Sequence, residues 1–361
     1  MTEGKLTRIP SPIILANLII GGFTGAIHAL LHVKPLTSPL VTGSLIGFLV
    51  GWLLDLAFFR KVTQPRKRIL IFLAFILIEP LLVFNFVAPV MAAYAAVHTV
   101  HNPVNAPASA LAENAIDVAF TTSDNITIRG WYTPPNNDMV IIALHGLNGN
   151  RQSILPHAKA LAENGFGVLM FDMRGHGDSG GEIYSSCLAK GDVAAAVNYI
   201  HAQEPEALIG IFGLSSGAHT ALCAAAETEE IQAIFVDGVS FGRVKDILVP
   251  RSQTFEPYNL LVPAYWTLTV STDLFSGHKE PLIQDLVKEI FPRPLLFVAA
   301  ENDMLEPDQA RRYFAFVCSL SSTWVAPDVS HGGAFAAYPE EYTQRMVKFF
   351  SETAHSTTIT P

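Results

Sequence analysis

The stretch from Leu208 to Ala226, LIGIFGLSSGAHTALCAAA, joins a short apolar run to a helix of small residues through a Gly-Leu-Ser-Ser-Gly turn. This order predicts a strand, a sharp turn and a helix. A serine at the apex of such a turn has a strained backbone with little space for neighbouring Cβ atoms, so glycine is required two residues before it and two after it. Gly213 and Gly217 occupy these positions around Ser215. Ser215 is therefore the candidate nucleophile.

The turn lies within a regular alternation of apolar strands and helices. Strands are predicted at 116–122, 126–133, 139–144, 167–171, 208–212, 231–236, 294–299 and 322–325, and helices at 155–163, 189–202, 216–226 and 339–353. Strands that are apolar on both faces and separated by helices indicate a parallel sheet covered on both sides. We predict an α/β domain over 114–355, with an insertion at about 238–291 that caps the cleft, and a short tail over 356–361.

A serine hydroxyl becomes a nucleophile when a histidine takes its proton and an acid orients that histidine. Asp303 follows one late predicted strand, and His331 follows the last one, in a loop that contains glycine. The order Ser215, Asp303, His331 predicts a catalytic triad at the carboxyl ends of the strands. Asp237 and Glu301 are the competing candidates for the acid.

A second turn supplies candidate donors for a developing negative charge. His145-Gly146-Leu147 follows the strand predicted at 139–144. The main-chain N–H of Leu147 can join that of Ser216, at the positive end of the helix dipole, to form an oxyanion hole. His145 is assigned a structural role because it lies ahead of the nucleophile, in the loop that shapes the hole.

These motifs resemble the α/β-hydrolase superfamily, in particular its serine esterase, monoacylglycerol lipase-like and serine aminopeptidase-like branch. The resemblance covers roughly residues 114–353. It is carried by His145-Gly146, the run FDMRGHGDSGG at 171–181, the serine turn, Asp303 and His331. It implies the α/β-hydrolase fold and a triad of Ser215, His331 and Asp303. It also implies that 172–181 is a structural turn in which His176 and Asp178 are scaffold.

Three long apolar runs precede this region, at about 13–33, 40–59 and 69–90. Each approaches or exceeds the ~20 residues that cross the hydrocarbon layer as a helix. Each is apolar all round rather than on one face, which disfavours the alternative of buried helices in a soluble domain. We predict a membrane domain over 1–98 with three transmembrane helices. A proline-containing linker over 99–113 follows it.

Charge is distributed unevenly between the two regions. Residues 1–68 contain eight Lys and Arg residues and two Asp and Glu residues, which gives them a net charge of +6. Because the whole chain has a net charge of −9, residues 69–361 have a net charge of −15. The acidic remainder argues against nucleic acid as a partner. The densely basic loop at 60–68 is expected in the cytoplasm together with the N-terminus. Three crossings then place the hydrolase-like domain outside the cytoplasm.

Several polar residues occur near or within the apolar runs. Glu79 has two interpretations, a functional proton or ligand position, or a protonated side chain that is hydrogen-bonded between helices. Asp55 lies about one turn from Arg60, which explains it as an interfacial ion pair. His28, His32, His98 and His101 are assigned to polar anchoring at the membrane interface, with a metal site as the alternative.

The three cysteines, Cys187, Cys223 and Cys318, are widely spaced and odd in number. Their spacing does not match a metal-binding motif, so we predict that they are buried packing residues and that no disulfide framework follows from them.

Taken together, the patterns favour a multi-pass, membrane-anchored serine hydrolase that cleaves carboxylic esters through an acyl-enzyme intermediate. Its partners would be the membrane and a small-molecule or lipid ester, and its chemistry requires no metal or organic cofactor. An aminopeptidase or a thioesterase of the same fold is the first alternative. A membrane transport or sensing protein, in which Glu79 and the helix histidines carry function, is the second.

Overall fold

The computed structural model describes residues 12–31, 37–57, 61–239, 241–247, 261–317 and 321–357. They belong to two compact units, Met1–Met91 and Ala92–Pro361.

The first unit is helical. Its helices are α1 (Pro12–Leu31), α2 (Thr37–Ala57) and α3 (Pro65–Leu82), and a π-helical turn (Val83–Val87) joins α3 to α4 (Ala88–Val97), which continues into the second unit. Glycine lets α1 and α2 approach closely: a Cβ added to Gly47 would lie 1.9 Å from the carbonyl oxygen of Asn17. Small residues at such crossings are typical of helices that pack in membranes.

The stretch Pro65–Val97 is a helix of 33 residues with a mean hydropathy of 2.5 over its most apolar window. Within the described part of the chain it is the one helix long and apolar enough to cross a membrane. The apolar stretches described in α1 and α2 are shorter, Pro12–Gly22 and Gly47–Leu56. The third predicted span thus extends beyond residue 90, whereas the topology of three spans and its orientation stay predictions.

Glu79 has a partner within the helical unit. The side-chain amide of Asn17 on α1 donates to a Glu79 carboxylate oxygen at 3.2 Å and also to the carbonyl oxygen of Ile13. This contact matches the interpretation of Glu79 as a residue bonded between helices. Asp55 is buried, and its predicted partner Arg60 lies outside the described residues, as do the His28 side chain and His32.

The second unit is built on an eight-stranded sheet. Its strands are β1 (Ile116–Thr121), β2 (Thr127–Thr133), β3 (Met139–Leu144), β4 (Gly167–Phe171), β5 (Leu208–Leu214), β6 (Ile231–Asp237), β7 (Leu295–Ala300) and β8 (Ser322–Ala326). Their spatial order is β1-β2-β4-β3-β5-β6-β7-β8. The β1–β2 and β2–β4 pairs are antiparallel and the remaining pairs are parallel. The predicted α/β architecture is confirmed.

Helices cover both faces of this sheet. The helices of this unit are α5 (Leu155–Glu163), α6 (Lys190–Gln203), α7 (Ser216–Glu227), α8 (Val244–Ile247), α9 (Val262–Ser276), α10 (Ile283–Ile290), α11 (Glu306–Phe314), α12 (Ala334–Ala337) and α13 (Pro339–Thr357). Residues of α6, α7 and α10 share one apolar core, and residues of α5 and α13 share the other.

The central strand β3 explains why both faces need a cover. All six of its side chains are buried. Val140, Ile142 and Leu144 belong to one core, whereas the alternate residues belong to the other. Burying an aliphatic side chain of this size contributes about 1.5–3 kcal/mol. A strand that buries every residue is therefore stable only between two helical layers.

The segment predicted as a linker, 99–113, lies against the second unit. The Thr99 hydroxyl donates to the Gly175 carbonyl oxygen, and a short 3₁₀ helix (Ala108–Ala110) precedes Leu111. Ala108 and Leu111 are buried in the same core as Trp131. The alanine-rich composition suggested a flexible connection, but these small side chains pack into the domain instead.

The insertion predicted at 238–291 is described in part, as α8, α9 and α10. Helix α10 packs on α7 and buries one of its faces. The buried residues follow helical spacing and are Ile283, Leu286, Val287 and Ile290. This helix therefore belongs to the layer that covers the sheet. Helix α9 contributes Leu268 and Thr272 to the cavity that Leu147 and Ser216 also line, whereas a cap over the cleft stays a prediction.

Two of the three cysteines, Cys187 and Cys223, are buried as predicted, but the prediction that no disulfide forms was wrong for them. Cys187 and Cys223 form a disulfide, with their Cα atoms 5.2 Å apart. Cys187 precedes α6 and Cys223 lies on α7, and these two helices pack side by side. Sequence spacing carries no signal for a bridge that arises from helix packing. Cys318 lies outside the described residues.

Candidate active site

Ser215 stands between β5 and α7 in a strained backbone conformation, with φ 56° and ψ −117°. A Cβ added to Gly213 would lie 2.3 Å from the Gly217 carbonyl oxygen, and one added to Gly217 would lie 2.5 Å from the His145 carbonyl oxygen. The predicted demand for glycine on both sides of the serine is confirmed. The Ser215 N–H donates to the carbonyl oxygen of Asp237 at 2.8 Å, which ties the turn to the end of β6.

His331 follows β8 and reaches the serine from the loop. Its Nε2 atom lies 2.8 Å from the Ser215 hydroxyl oxygen. A Cβ added to Gly238, which has φ +78°, would lie 2.9 Å from His331 Cε1. The glycine after β6 thus leaves room for the imidazole. The structure brings together the predicted nucleophile and the predicted base.

The carboxylate on the other side of the imidazole is Glu306. Its Oε1 atom is hydrogen-bonded to His331 Nδ1, and its Oε2 atom accepts the N–H of Ala300 at 2.8 Å. The Glu306 side chain is fully buried. Because both oxygens are engaged and one of them contacts the imidazole, Glu306 has the geometry of the acid that orients a catalytic histidine.

Asp303 was predicted for that position, and the structure gives its carboxylate different hydrogen-bond partners. Its Oδ1 atom accepts the N–H groups of Leu305 and Glu306, at 2.8 and 3.0 Å, in the turn before α11. The carboxylates of Asp303 and Glu306 lie with the His331 ring in one group whose members are within 4.8 Å of one another. The shorter side chain holds the turn, and the longer side chain reaches the imidazole.

The contact between His331 and Glu306 changes the pKa of the imidazole. The hydrogen bond to Glu306 raises the pKa of His331 above its ordinary value, against the opposing effect of partial burial. The negative charges of Glu306, Asp303 and Asp237 act in the same direction as the hydrogen bond. A histidine with a raised pKa is a stronger base for the serine proton.

The other candidate acids have separate partners. Burial raises the pKa of Asp237 to about 7, and its carboxylate accepts the Tyr342 hydroxyl at 2.8 Å. A Glu301 oxygen accepts the N–H of Asp328 at 3.0 Å. The structure therefore assigns both acids to the frame around the site.

The two residues predicted to supply oxyanion donors, Leu147 and Ser216, line the same cavity. Gly146 approaches the serine closely, since a Cβ added there would lie 3.4 Å from Ser215 Cβ. Leu147 follows in the same turn. In α7 the first backbone bonds run from Ala218 and His219 to the Ser215 carbonyl oxygen, so the Ser216 N–H precedes the intrahelical ladder.

Two buried histidines hold the turn that carries Leu147. His145 Nε2 accepts the N–H of Met173 at 3.1 Å, which leaves Nδ1–H to donate to the Gly146 carbonyl oxygen at 2.8 Å. His176 Nε2 accepts the N–H of Asn148. Burial lowers the pKa of His145 to about 3 and that of His176 to about 4, so both rings are neutral. Their structural assignment agrees with these contacts.

Sequence reasoning missed Arg151, which fastens the turn at 172–181. Its guanidinium pairs with buried Asp172 and, at 2.8 Å, with Asp178. It also lies over the Trp131 ring, 5.0 Å from the centroid. Asp172 additionally accepts the N–H groups of Arg151 and Asp178. A single arginine 21 residues from its partner gives no sequence signal for this network.

A cavity of about 200 Å³ opens beside Leu147 and Ser216. The end of α4 and helix α9 give it apolar walls that include Val97 and Leu268. Its polar side contains His219 and buried Glu280. The cavity lies next to both predicted oxyanion donors, so it is the candidate pocket for one part of a substrate.

Residues 135–254 match the family described as Hydrolase_4, serine aminopeptidase, S33. The protein YfhR of Escherichia coli strain K12 is 27% identical over 251 residues, which cover 65% of this chain and 80% of the relative. The thiohydrolase aneE of Aspergillus aculeatus is 32% identical over 127 residues, 33% of this chain and 39% of that protein.

Among solved structures, the esterase Pf2001 of Pyrococcus furiosus aligns with a TM-score of 0.56 at 25% identity, and the alignment covers 71% of this chain and 99% of the esterase. The strand order, with β1, β2 and β4 antiparallel at one end, and the serine turn after β5 agree with this likeness. The chain has the α/β-hydrolase fold, and these similarities support its place in the α/β-hydrolase superfamily.

Proposed function

We propose that the protein is a serine hydrolase that cleaves carboxylic esters with Ser215 as nucleophile, His331 as base and Glu306 as the orienting acid. The observation that carries the proposal is the chain of contacts from Glu306 through the His331 ring to the Ser215 oxygen at 2.8 Å. A hydroxyl, an imidazole and a buried carboxylate in this order form the arrangement that activates serine for acyl transfer.

In the proposed reaction, His331 takes the hydroxyl proton as Ser215 attacks the ester carbonyl carbon. Glu306 stabilises the resulting imidazolium and keeps its Nε2 atom directed at the serine. The backbone N–H groups of Leu147 and Ser216 stabilise the oxyanion. The imidazolium then protonates the leaving alcohol, and water activated by His331 releases the acyl group from Ser215.

Carboxylic esters are the substrate class we favour, because the esterase of Pyrococcus furiosus aligns over nearly its whole length. A thioester substrate is the second candidate, supported by the similarity to the thiohydrolase aneE. Aminoacyl amides are the third candidate substrate class, because residues 135–254 match the serine aminopeptidase family S33. Chromogenic esters, thioesters and aminoacyl amides of equal acyl length separate the three by their kcat/KM values.

We further propose that the first unit anchors the enzyme in a membrane by three helices, with the hydrolase domain outside the cytoplasm. The apolar helix Pro65–Val97 and the basic loop at 60–68 support this arrangement. The Cys187–Cys223 disulfide supports the orientation, because disulfides persist in oxidising compartments. External protease on intact cells should degrade the hydrolase domain, and protection of this domain until the cells are lysed would refute the orientation.

A fluorophosphonate probe tests the nucleophile directly. The folded full chain should be labelled on Ser215, and Ser215→Ala should lose both the label and ester turnover. Ser330→Ala, in the neighbouring exposed loop, is the matched control and should keep the label. Labelling that survives in Ser215→Ala would refute the assignment. If Glu79→Gln abolished a cellular phenotype that Ser215→Ala left intact, the transport or sensing alternative would replace the proposal.

A further inference from the structure

A buried group of four potential metal ligands lies beside the substrate cavity. It consists of Cys187, His219, Cys223 and Glu280, whose ligand atoms all lie within 4.8 Å of one another. The two cysteines and the glutamate are buried, and the histidine side chain is 14% exposed. None of the four takes part in the proposed chemical steps, although His219 and Glu280 line the candidate substrate pocket.

Three separate parts of the fold bring these side chains together. His219 and Cys223 are four residues apart on α7 and therefore share one face of that helix. Cys187 precedes α6, and Glu280 lies between α9 and α10. Both Glu280 carboxylate oxygens lie within 3.3 Å of the Cys187 nitrogen, so the backbone N–H holds the carboxylate in the group.

The His219 ring points to a missing partner. Its Nε2 atom is buried and, among the described residues, makes no hydrogen bond. The nearest charged atom is Glu280 Oε2, 3.7 Å away. A buried polar nitrogen without a partner destabilises the folded state. A cation bound between His219, Glu280 and the two sulfur atoms would supply the absent interaction.

Two thiolates, one imidazole and one carboxylate make up a donor set that suits zinc, which favours four-coordinate sites of sulfur and nitrogen ligands and also accepts carboxylate oxygen. We propose that the reduced chain binds one Zn²⁺ ion through Cys187, His219, Cys223 and Glu280. The disulfide seen in the structure is then the alternative, metal-free state of the same group.

The two states are related by a balanced exchange. A phosphine reductant is oxidised to its oxide while water supplies that oxygen, and the two electrons and two protons convert the disulfide to two thiols. Zn²⁺ then replaces the two thiol protons, and the neutral imidazole and the ionised carboxylate complete the coordination.

The position of the group gives this exchange a structural effect. The His219 N–H donates to the Ser215 carbonyl oxygen at 3.2 Å, in the first turn of α7. His219 and Glu280 also line the cavity of about 200 Å³. When the disulfide is open, zinc would hold the beginning of α7 to Glu280, on the polar wall of the cavity.

Metal content tests the proposal. The full chain carrying Cys318→Ser is purified in detergent, reduced with tris(carboxyethyl)phosphine, incubated with Zn²⁺, dialysed and assayed by elemental analysis. We expect about one zinc per reduced chain and none in the oxidised chain. Cobalt added instead of zinc should give the thiolate-to-metal charge-transfer absorption of a tetrahedral site.

Variants identify the ligands. His219→Ala and Glu280→Gln should each weaken zinc binding by more than the roughly 10- to 100-fold that loss of an outer hydrogen-bond partner costs a metal site. His278→Ala and Glu289→Gln, in the same region, are the matched controls and should bind zinc as the parent does. Circular dichroism verifies that each variant is folded.

Two results would overturn the proposal. One is a reduced parent chain that retains no zinc and gives no cobalt–thiolate band, which needs no variant to interpret. The other is zinc binding that Cys187→Ser abolishes while His219→Ala and Glu280→Gln leave it unchanged, because the metal would then be held by the thiolates alone. Neither result bears on ester hydrolysis, so the failure of this inference is distinguishable from failure of the proposed function.

Discussion

The Nε2 atom of His331 lies 2.8 Å from the hydroxyl oxygen of Ser215, although 116 residues separate them in the chain. If this contact transfers the serine proton, His331→Ala should lower kcat/KM for a short-chain nitrophenyl ester by at least roughly 10⁴-fold, as loss of a triad member does in other hydrolases. His201→Ala, at the end of α6, should retain activity. A residual rate within tenfold of the parent would contradict the role of His331.

The contacts of Glu306 and Asp303 predict different outcomes for two isosteric substitutions. Glu306→Gln should lower kcat by roughly 10³- to 10⁴-fold, because the imidazole loses its negative partner. Asp303→Asn keeps an oxygen that can accept the N–H groups of Leu305 and Glu306, so its effect on kcat should be below about tenfold. Steady-state measurements of kcat for both variants show which of the two carboxylates orients the imidazole. The reverse ranking would restore Asp303 as the orienting acid.

The rise of kcat/KM on the acidic side of the pH–rate profile should follow the deprotonation of the His331 imidazole. Ester hydrolysis requires the neutral imidazole, so kcat/KM should rise with pH and reach half its maximum above pH 6.5, since the hydrogen bond to Glu306 raises the pKa. In Glu306→Gln this midpoint should move to lower pH, because the largest cause of the raised pKa is gone. An unchanged midpoint in the variant would assign this rise to another group.

The same shift has a consequence for stability. The folded protein binds the His331 proton more tightly than the unfolded chain does, so the contribution is fully present below the unfolded pKa of about 6.5. It is lost as the pH rises through the folded-state pKa. The difference in thermal midpoint between the parent and His331→Ala should therefore be largest at acidic pH and should shrink toward alkaline pH.

The pairing of Arg151 with Asp172 predicts a strong effect on folding. Arg151→Met leaves buried Asp172 without its cationic partner, and breaking a buried pair in this way costs about 3–5 kcal/mol. Arg345→Met removes an exposed pair with Glu341 and should cost no more than about 1 kcal/mol. Denaturant unfolding of the two variants measures the difference. Equal losses would show that burial does not amplify the first pair.

The strands and main helices of the hydrolase unit were predictable because hydrophobic burial determines them. The run 139–144 is apolar throughout, and all six side chains of β3 are buried. Helix α11 was missed. Its sequence, EPDQARRYF, carries acidic residues in the first turn and basic residues in the last. Few of its residues are apolar, so hydrophobic periodicity gives only a weak signal for this helix.

Within the site, Ser215 and His331 were predictable because glycine spacing and strand ends constrain them strongly. The carboxylate that contacts His331 was harder to predict, because Asp303 and Glu306 both follow β7 by a few residues. Which of them reaches the imidazole depends on the path of the turn and on side-chain length. The sequence pattern specifies neither of these directly.

Tertiary packing explains two further differences from the sequence-based expectations, the disulfide and the packed segment at 99–113. Cys187 and Cys223 meet because α6 and α7 lie side by side, a relationship that exists only in the folded domain. Ala108 and Leu111 are buried against Trp131 although their surroundings have the composition of a linker. Local composition describes what a segment can do alone, whereas these segments are ordered by surfaces that other parts of the chain provide.

The positive φ of Ser215 has opposite effects on the proposed catalysis and on the thermal stability of the folded protein. A side chain in this backbone region carries a strain of roughly 1–3 kcal/mol, which glycine would relieve. The inert form Ser215→Gly should thus outlast the working enzyme on heating. Under the proposed function, the strained backbone lowers the stability of the folded protein and holds the Ser215 oxygen within reach of His331.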